Sequence, residues 1–292
     1  MNGVTGSIPD EISTLYDTTR IDLFGNDIKG TLPKGLGNLT KLELLDLEEN
    51  GLDGTFFTEE VMSLSSLIGL RGSFNGFTGS IPSDIDKLSK LEQLWFADNS
   101  IDGTIPESIV NLKSLESIFG YSNKLTKTIP SGLGSLVNLT QIRLYNNALT
   151  GLLPPDIFDA TKLETIRLDS NQLTGSIPTT VGKLSALEDL RLFANALFGD
   201  IPSEIGNLLM LRKFILHLLI LRPFTSSNMQ WPQKTCLLTT ISLPGSFHLK
   251  LSIQNLLWNL LTFRTISSWP GLCRLHCSTC HWYKTFTWLT AR

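Results

Sequence analysis

The sequence predicts an α/β fold: a right-handed solenoid with a concave parallel sheet over residues 1–216, followed by an unstructured or non-native tail over 217–292. Three observations predict it. Asn2, Asn26, Asn50, Asn75, Asn99, Asn123, Asn147, Asn171 and Asn195 are spaced by 24 residues, with one interval of 25. Around each Asn the text recurs, an apolar grid before it ("LELLDLEEN", "LTQIRLYNN", "LEDLRLFAN") and a turn after it ("NGVTGSIP", "NDIKGTLP", "NGFTGSIP", "NQLTGSIP"). Both features stop together near Leu216–His217, where the composition changes as well.

Each part of the period has a physical reading. Leu42, Leu45 and Leu47 point inward, the last two as alternate residues of a short strand. A single rung cannot cover its own apolar face, so neighbours stack and close a continuous core. The Asn amide donates and accepts at once, and buried polar groups require partners. The column Asn26, Asn50, Asn75, Asn99, Asn123, Asn147, Asn171 and Asn195 is therefore expected to bond the backbone of adjacent turns. A glycine such as Gly54 supplies a conformation costly for any residue with a Cβ. A proline such as Pro82 then precedes a returning segment ("SDIDKLSK") expected as a short 3₁₀ or α turn. Nine strands at ~4.8 Å spacing make a face about 40 Å long.

The pattern L-x-x-L-x-L-x-x-N-x-L followed by G-x-[IL]-P resembles the leucine-rich repeat, in its plant-type, receptor-like subclass. The resemblance covers residues 2–216 and implies a leucine-rich-repeat solenoid that binds a protein or peptide on its concave face. Two positions depart from it: Lys127 stands where the turn glycine is expected, and Phe56–Phe57 replace Ile-Pro.

In such a solenoid the positions free to vary lie on the outward side of the strands. Four residues before each Asn the column reads Asp22, Asp46, Arg71, Trp95, Phe119, Arg143, Arg167, Arg191; two before, it reads Phe24, Glu48, Ser73, Ala97, Tyr121, Tyr145, Asp169, Phe193. Stacked, these make an acidic end, an aromatic middle and an arginine ladder. The candidate ligand-binding residues are Trp95, Phe119, Tyr121, Arg143, Tyr145, Arg167, Arg191 and Phe193, because Trp, Tyr and Arg carry most interface energy. Adjacent arginines repel, and a carboxylate such as a peptide C-terminus would neutralise them by paired hydrogen bonds. The competing reading has Asp169 and Asp189 neutralise the ladder, leaving a solvated face.

Other classes of function find no support. Residues 1–216 contain no His and no Cys, so neither a Ser-His-Asp nor a Cys-His site can be assembled there. Gly182–Lys183 lacks Walker spacing and a following Ser or Thr. With 17 Lys and Arg against 27 Asp and Glu over the same residues, nothing attracts nucleic acid. No catalytic residue, metal site or cofactor is expected. Met1 is followed by "NGVTGSIPD", which has no signal-peptide pattern. The apolar runs "FILHLLIL" and "LLWNLLTF" fall short of the ~20 residues of a membrane span. Asn38 and Asn138, each in "NLT", become glycosylation acceptors only in a secreted chain. The compartment is left open, although the resemblance points to the cell surface or exterior. It also implies terminal caps, which a chain starting at the Asn of a repeat is read as lacking.

The tail holds no Asp or Glu but every Cys, every His and five of the six Trp. "CRLHCSTCHW" (273–282) suggests zinc, yet the spacing of Cys273, Cys277 and Cys280 matches no common paired-knuckle pattern. The genetic code gives another account. If the frame is set one base back, each codon joins the third base of one printed residue to two bases of the next. Residues 240–250 then permit N-x-[LIVF]-T-G-x-[LIVF]-P-x-E, and residues 257–267 permit L-E-L-[LIV]-D-[LIV]-x-[DN]-N. The Trp258–Asn259 junction admits only Glu, at the place of Glu43, although a later position forces Ala where Gly is usual. The tail reads as an out-of-frame translation of further repeats. The expected function is recognition by a fragment of a receptor-like or secreted protein. The alternatives are the ectodomain of a receptor kinase whose catalytic domain lies elsewhere in the gene, and a non-functional fragment.

Overall fold

The computed structural model describes residues 2–216 and the backbone of the strand Ile241–Ser242. Nine short strands, one per rung, form the main sheet: β1 (Arg20–Asp22), β2 (Leu44–Asp46), β3 (Gly69–Arg71), β4 (Gln93–Trp95), β5 (Ser117–Phe119), β6 (Gln141–Arg143), β7 (Thr165–Arg167), β8 (Asp189–Arg191) and β9 (Lys213–Ile215). Each pairs in parallel with the next in chain order, so Leu45 lies beside Leu70, Leu70 beside Leu94 and Ile142 beside Ile166. The strand Ile241–Ser242 pairs antiparallel with β9. Because every rung repeats the same path, equivalent positions stack in columns about 4.8 Å apart.

A second set of parallel pairings runs just beyond each Asn. It includes the strands Thr5–Gly6, Asp27–Gly30 and Gly51–Leu52, and later Thr126–Lys127, Ala148–Leu152, Gln172–Gly175 and Ala196–Leu197. Isolated bridges at Thr55–Thr78, Ser80–Asp102 and Thr104–Thr126 join the two groups. The returning segments are 3₁₀ turns, apart from a single α-turn at Glu59–Met62 capped by Thr58, whose hydroxyl accepts from Val61 N. Pro9, Pro33, Pro106, Pro154, Pro178 and Pro202 cap six of the 3₁₀ turns in extended conformation. Proline's fixed φ suits that entry, where its missing N–H is not required.

The core is one apolar column set inside the coil, with Leu45, Leu70, Leu94, Ile142 and Leu190 at 0–1% exposure. The Asn column stitches it. Asn99 Oδ1 accepts from Phe77 N at 2.9 Å, while its Nδ2 donates to the carbonyls of Gly72 at 2.9 Å, Phe96 at 3.1 Å and Ala97 at 3.0 Å. The same set recurs at Asn50, Asn75, Asn123, Asn147, Asn171 and Asn195. Turning each Asn inward bends the chain through a left-handed residue just before it: Glu49, Phe74, Asp98, Ser122, Asn146, Ser170 and Ala194 all have φ of +49 to +57.

The two departures from the repeat have different consequences. Gly54 has φ +72, and a Cβ there would meet Thr31 Cγ2 of the preceding rung at 2.7 Å, so conformation and space both demand glycine. Lys127 occupies the equivalent turn at φ +61, which strains it by about 1–2 kcal/mol. Phe56 and Phe57 are buried at 0% and 6% exposure. Phe56 fills the space left by Gly72, whose added Cβ would lie 2.3 Å from the ring. Phe96 covers Gly120 in the same way, at 2.4 Å. At both sites glycine replaces an inward leucine, and a phenylalanine from the preceding rung supplies the missing volume.

No helix among the described residues is long and apolar enough to cross a membrane. Cys273, Cys277, Cys280 and the shifted-frame reading of 217–292 lie outside the described residues.

Candidate functional site

The parallel register sets equivalent side chains at the separation at which aromatic rings stack. On the outer side of β3–β6 this produces a continuous pile. The Arg71 guanidinium lies 4.3 Å from the Trp95 ring centroid, Trp95 stacks on Phe119 at 4.8 Å and 13°, and Arg143 covers Phe119 at 4.6 Å. Trp95 Nε1 donates to Ser117 Oγ at 2.8 Å, which fixes the indole. Beside this pile, Tyr121 and Tyr145 stack at 4.4 Å and 5°, and Arg167 covers the other face of Tyr145 at 3.8 Å. Cation–π contacts of this kind contribute roughly 0.5–2 kcal/mol each.

Phe74 completes the cluster from a position outside both columns. It is 44% exposed, left-handed at φ +57, and meets Tyr121 edge-on at 6.3 Å and 69° across the intervening rung. Ala97, fully buried, is small enough to let it pass. An exposed aromatic in that conformation costs energy that solvent exposure does not return. Burial also pushes the Tyr121 phenol up to about 12, so it remains a hydrogen-bond donor across the physiological range.

The arginines are not equivalent. Arg191 is held by its strand neighbour Asp189 through Nε at 2.9 and 3.1 Å and a terminal nitrogen at 2.9 Å, and this pairing raises its pKa further. Arg71 donates to Asp46 at 3.0 Å, and also to Gln93. Arg167 Nε sits 3.5 Å from Asp169 Oδ1, but the two are not aligned for a hydrogen bond. Asp169 is 2% exposed, and burial pushes its carboxyl up against the opposing pull of Arg167. Arg143 donates to Gln141 Oε1 at 2.7 Å, leaves its buried Nε without an acceptor, and has no acidic partner among the described residues. Along the ladder Asp189 thus neutralises Arg191 and Asp169 loosely pairs Arg167, as the competing reading has it, while Arg143 has no acidic partner among the described residues.

The acidic end is less open than the columns imply. Asp46 is 4% exposed beneath Arg71, while Asp22, at the rim, is held low by Arg20 at 2.8 Å. Burial raises the Glu48 carboxyl, partly offset by Ser73. Phe193 is half-buried at the far end of its column, beyond Asp169. Phe74 was missed by the column reading; a bulky aromatic directly before a ladder Asn is the signal that marks it. Among the described residues, no group of three His, Cys, Asp or Glu side chains is placed to hold a metal ion.

Comparison with known proteins agrees with this architecture. The family described as Leucine Rich Repeat matches residues 90–112, 138–160 and 162–184. Receptor-like protein 32 of Arabidopsis thaliana is 38% identical over 100 residues, covering 33% of this chain and 11% of that protein. The solved plant peptide hormone receptor RGFR1, in complex with RGF2, is 39% identical with a TM-score of 0.70, covering 73% of this chain and 34% of the receptor. The ectodomain of the Arabidopsis receptor kinase HAESA, solved with an N-terminally extended IDA peptide hormone, is 33% identical with a TM-score of 0.66, covering 70% and 34%. The chain thus spans about a tenth of that curated relative's length and about a third of these solved receptor chains. With the strand-and-Asn period, the concave sheet and these likenesses together, residues 2–216 are a plant-type leucine-rich-repeat segment.

Proposed function

We propose that this segment is part of a receptor-like recognition protein and binds an extended peptide across β3–β7, with Trp95, Phe119, Tyr121 and Tyr145 as apolar anchors and Arg143 as the charged contact. The observation that carries the reading is the uncompensated Arg143 beside four stacked aromatic rings on an open face. The likeness to solved peptide hormone receptors supports the ligand class. A peptide carboxylate suits Arg143 because its guanidinium is only half-buried and its terminal nitrogens bond the neutral Gln141 rather than an anion among the described residues. The chemistry proposed is binding alone.

The test is affinity for peptides carrying a free C-terminal carboxylate, chosen from a synthetic library screened against the full chain. Arg143→Ala is expected to weaken the selected peptide at least about thirtyfold, the scale of an interface hot spot. Arg191→Ala is expected to change it less than about threefold, because Asp189 already occupies that guanidinium. A loss of less than about threefold in Arg143→Ala would exclude Arg143 as the contact.

We propose also that residues 217–292 are an out-of-frame translation of further rungs. In the shifted frame the two recovered Asn codons fall at the Thr240–Ile241 and Thr265–Ile266 junctions, 25 residues apart, the interval between Asn50 and Asn75. Upstream of the first junction, the Thr235–Cys236 and Leu237–Leu238 junctions both permit leucine, which gives L-x-L-x-x-N. Sequencing the transcript and its locus across codons 200–292 is expected to restore "NxLTGxIP" in one continuous frame. The printed frame in expressed message would overturn the proposal and return attention to zinc at Cys273, Cys277 and Cys280. Restored rungs would lengthen the concave face beyond β9.

A further inference from the structure

The closest ring-to-ring contact among the described residues joins two phenols. Tyr121 and Tyr145 lie on neighbouring rungs, each two residues past the end of its strand, where Phe119 of β5 pairs with Arg143 of β6. Their rings are 4.4 Å apart and within 5° of parallel. The outer face of Tyr145 is covered by Arg167 at 3.8 Å, and Phe74 touches Tyr121 edge-on at 6.3 Å. Both residues remain partly exposed, and neighbouring side chains hold the pair together.

We propose that Tyr121 and Tyr145 form an oxidative cross-linking site, at which a peroxide acting with a haem peroxidase joins the two rings as dityrosine. Each phenol loses one electron and its hydroxyl proton, giving a phenoxyl radical. The radicals combine through a new carbon–carbon bond between ring positions ortho to the hydroxyls. Each joined carbon then releases its hydrogen as a proton, and each phenoxyl oxygen regains one, which restores both aromatic rings. The net loss is two electrons and two protons, taken up by the peroxide as its O–O bond breaks to give two molecules of water.

The geometry decides the partner. A radical on either ring has the other phenol already at stacking distance, whereas coupling with a second molecule must wait for an encounter. Holding reactants together in this way raises effective concentration by orders of magnitude. The other large stack, Trp95 on Phe119, contains no phenol. Of the four tyrosines, Tyr16 is 63% exposed on the first rung, and Tyr283 lies outside the described residues. The bond would tie two rungs together across the aromatic centre, so peroxide would act on the recognition surface itself. The coupling does not depend on what that surface binds.

The experiment treats the full chain at low concentration with a haem peroxidase and limiting hydrogen peroxide, followed by digestion with trypsin and mass spectrometry. The expected product is a monomer lighter by two hydrogens, in which the peptides spanning 114–124 and 144–162 are joined. This link should exceed every other tyrosine coupling at least about tenfold. Tyr121→Phe and Tyr145→Phe keep the stacked rings and should each abolish it, while Tyr16→Phe should leave it intact. In denaturant the link should fall to the level of the other couplings. A 121–145 link no more abundant than those to Tyr16 or Tyr283, or one that survives denaturation undiminished, would overturn the proposal.

Discussion

Replacing Asn171 with alanine is expected to destabilise the solenoid by about 3–5 kcal/mol, since it strands several buried backbone groups at about 1–3 kcal/mol each. Asn171 is 8% exposed. Its Oδ1 accepts from Leu149 N at 3.0 Å, and its Nδ2 donates to the carbonyls of Leu144, Leu168 and Asp169 at 3.0, 3.2 and 3.3 Å. Alanine removes every one of these bonds. Asn26 has the same role on an early rung, but its Oδ1 contact to Val4 N is exposed, so Asn26→Ala should lose only about 1 kcal/mol. Because each rung is stabilised by its neighbours, the interior loss should appear as a lower midpoint of denaturant unfolding for the whole segment. Equal losses at Asn26 and Asn171 would mean that the amide column contributes through something other than buried hydrogen bonds.

Phe56→Ala is expected to cost about 3–5 kcal/mol as a large-to-small change in a closed core. The ring is fully buried, meets Phe57 at 4.9 Å and Phe77 at 4.8 Å, and occupies the space above Gly72. The second half of the prediction is a change of sign. In the wild-type chain Gly72→Leu should destabilise, because even its Cβ would lie 2.3 Å from Phe56 and overpacking strains a filled core. In the Phe56→Ala background the same Gly72→Leu should recover part of the loss, since it restores the inward leucine of the other rungs and fills the cavity. Unfolding midpoints of the four chains form a double-mutant cycle. Additive effects would show that the ring and the glycine are not compensating each other.

The legible and illegible parts of the structure divide along a physical line. A strict period forces each position beside its equivalent one rung away. The strand positions, the inward leucines, the amide column and the two outward columns could therefore be named from spacing alone. Phe119 over Trp95 and Tyr145 over Tyr121 follow from the same rule. Contacts that break the column rule could not be named so. Phe56 reaching into the gap at Gly72 depends on how one rung's turn overlies the next rung's strand. Phe74 reaches Tyr121 only because the left-handed bend turns it sideways over Ala97. The arginine columns were visible as charges, but their states depend on geometry: Asp189 grips Arg191, Asp169 faces Arg167 out of line, and Arg143 has only Gln141. Residues 217–292 carry no period in the printed frame, and their reading rests on codon logic.

The concave face is proposed to recognise a peptide through Arg143. The most direct measurement titrates wild-type chain and Arg143→Ala with one selected peptide, once as the free acid and once as the C-terminal amide. Wild type should prefer the acid at least about tenfold, and Arg143→Ala should bind both forms alike, because the lost preference resides in that single charge-assisted contact. An acid preference that survives undiminished in Arg143→Ala would contradict the claim and place the carboxylate elsewhere on the molecule.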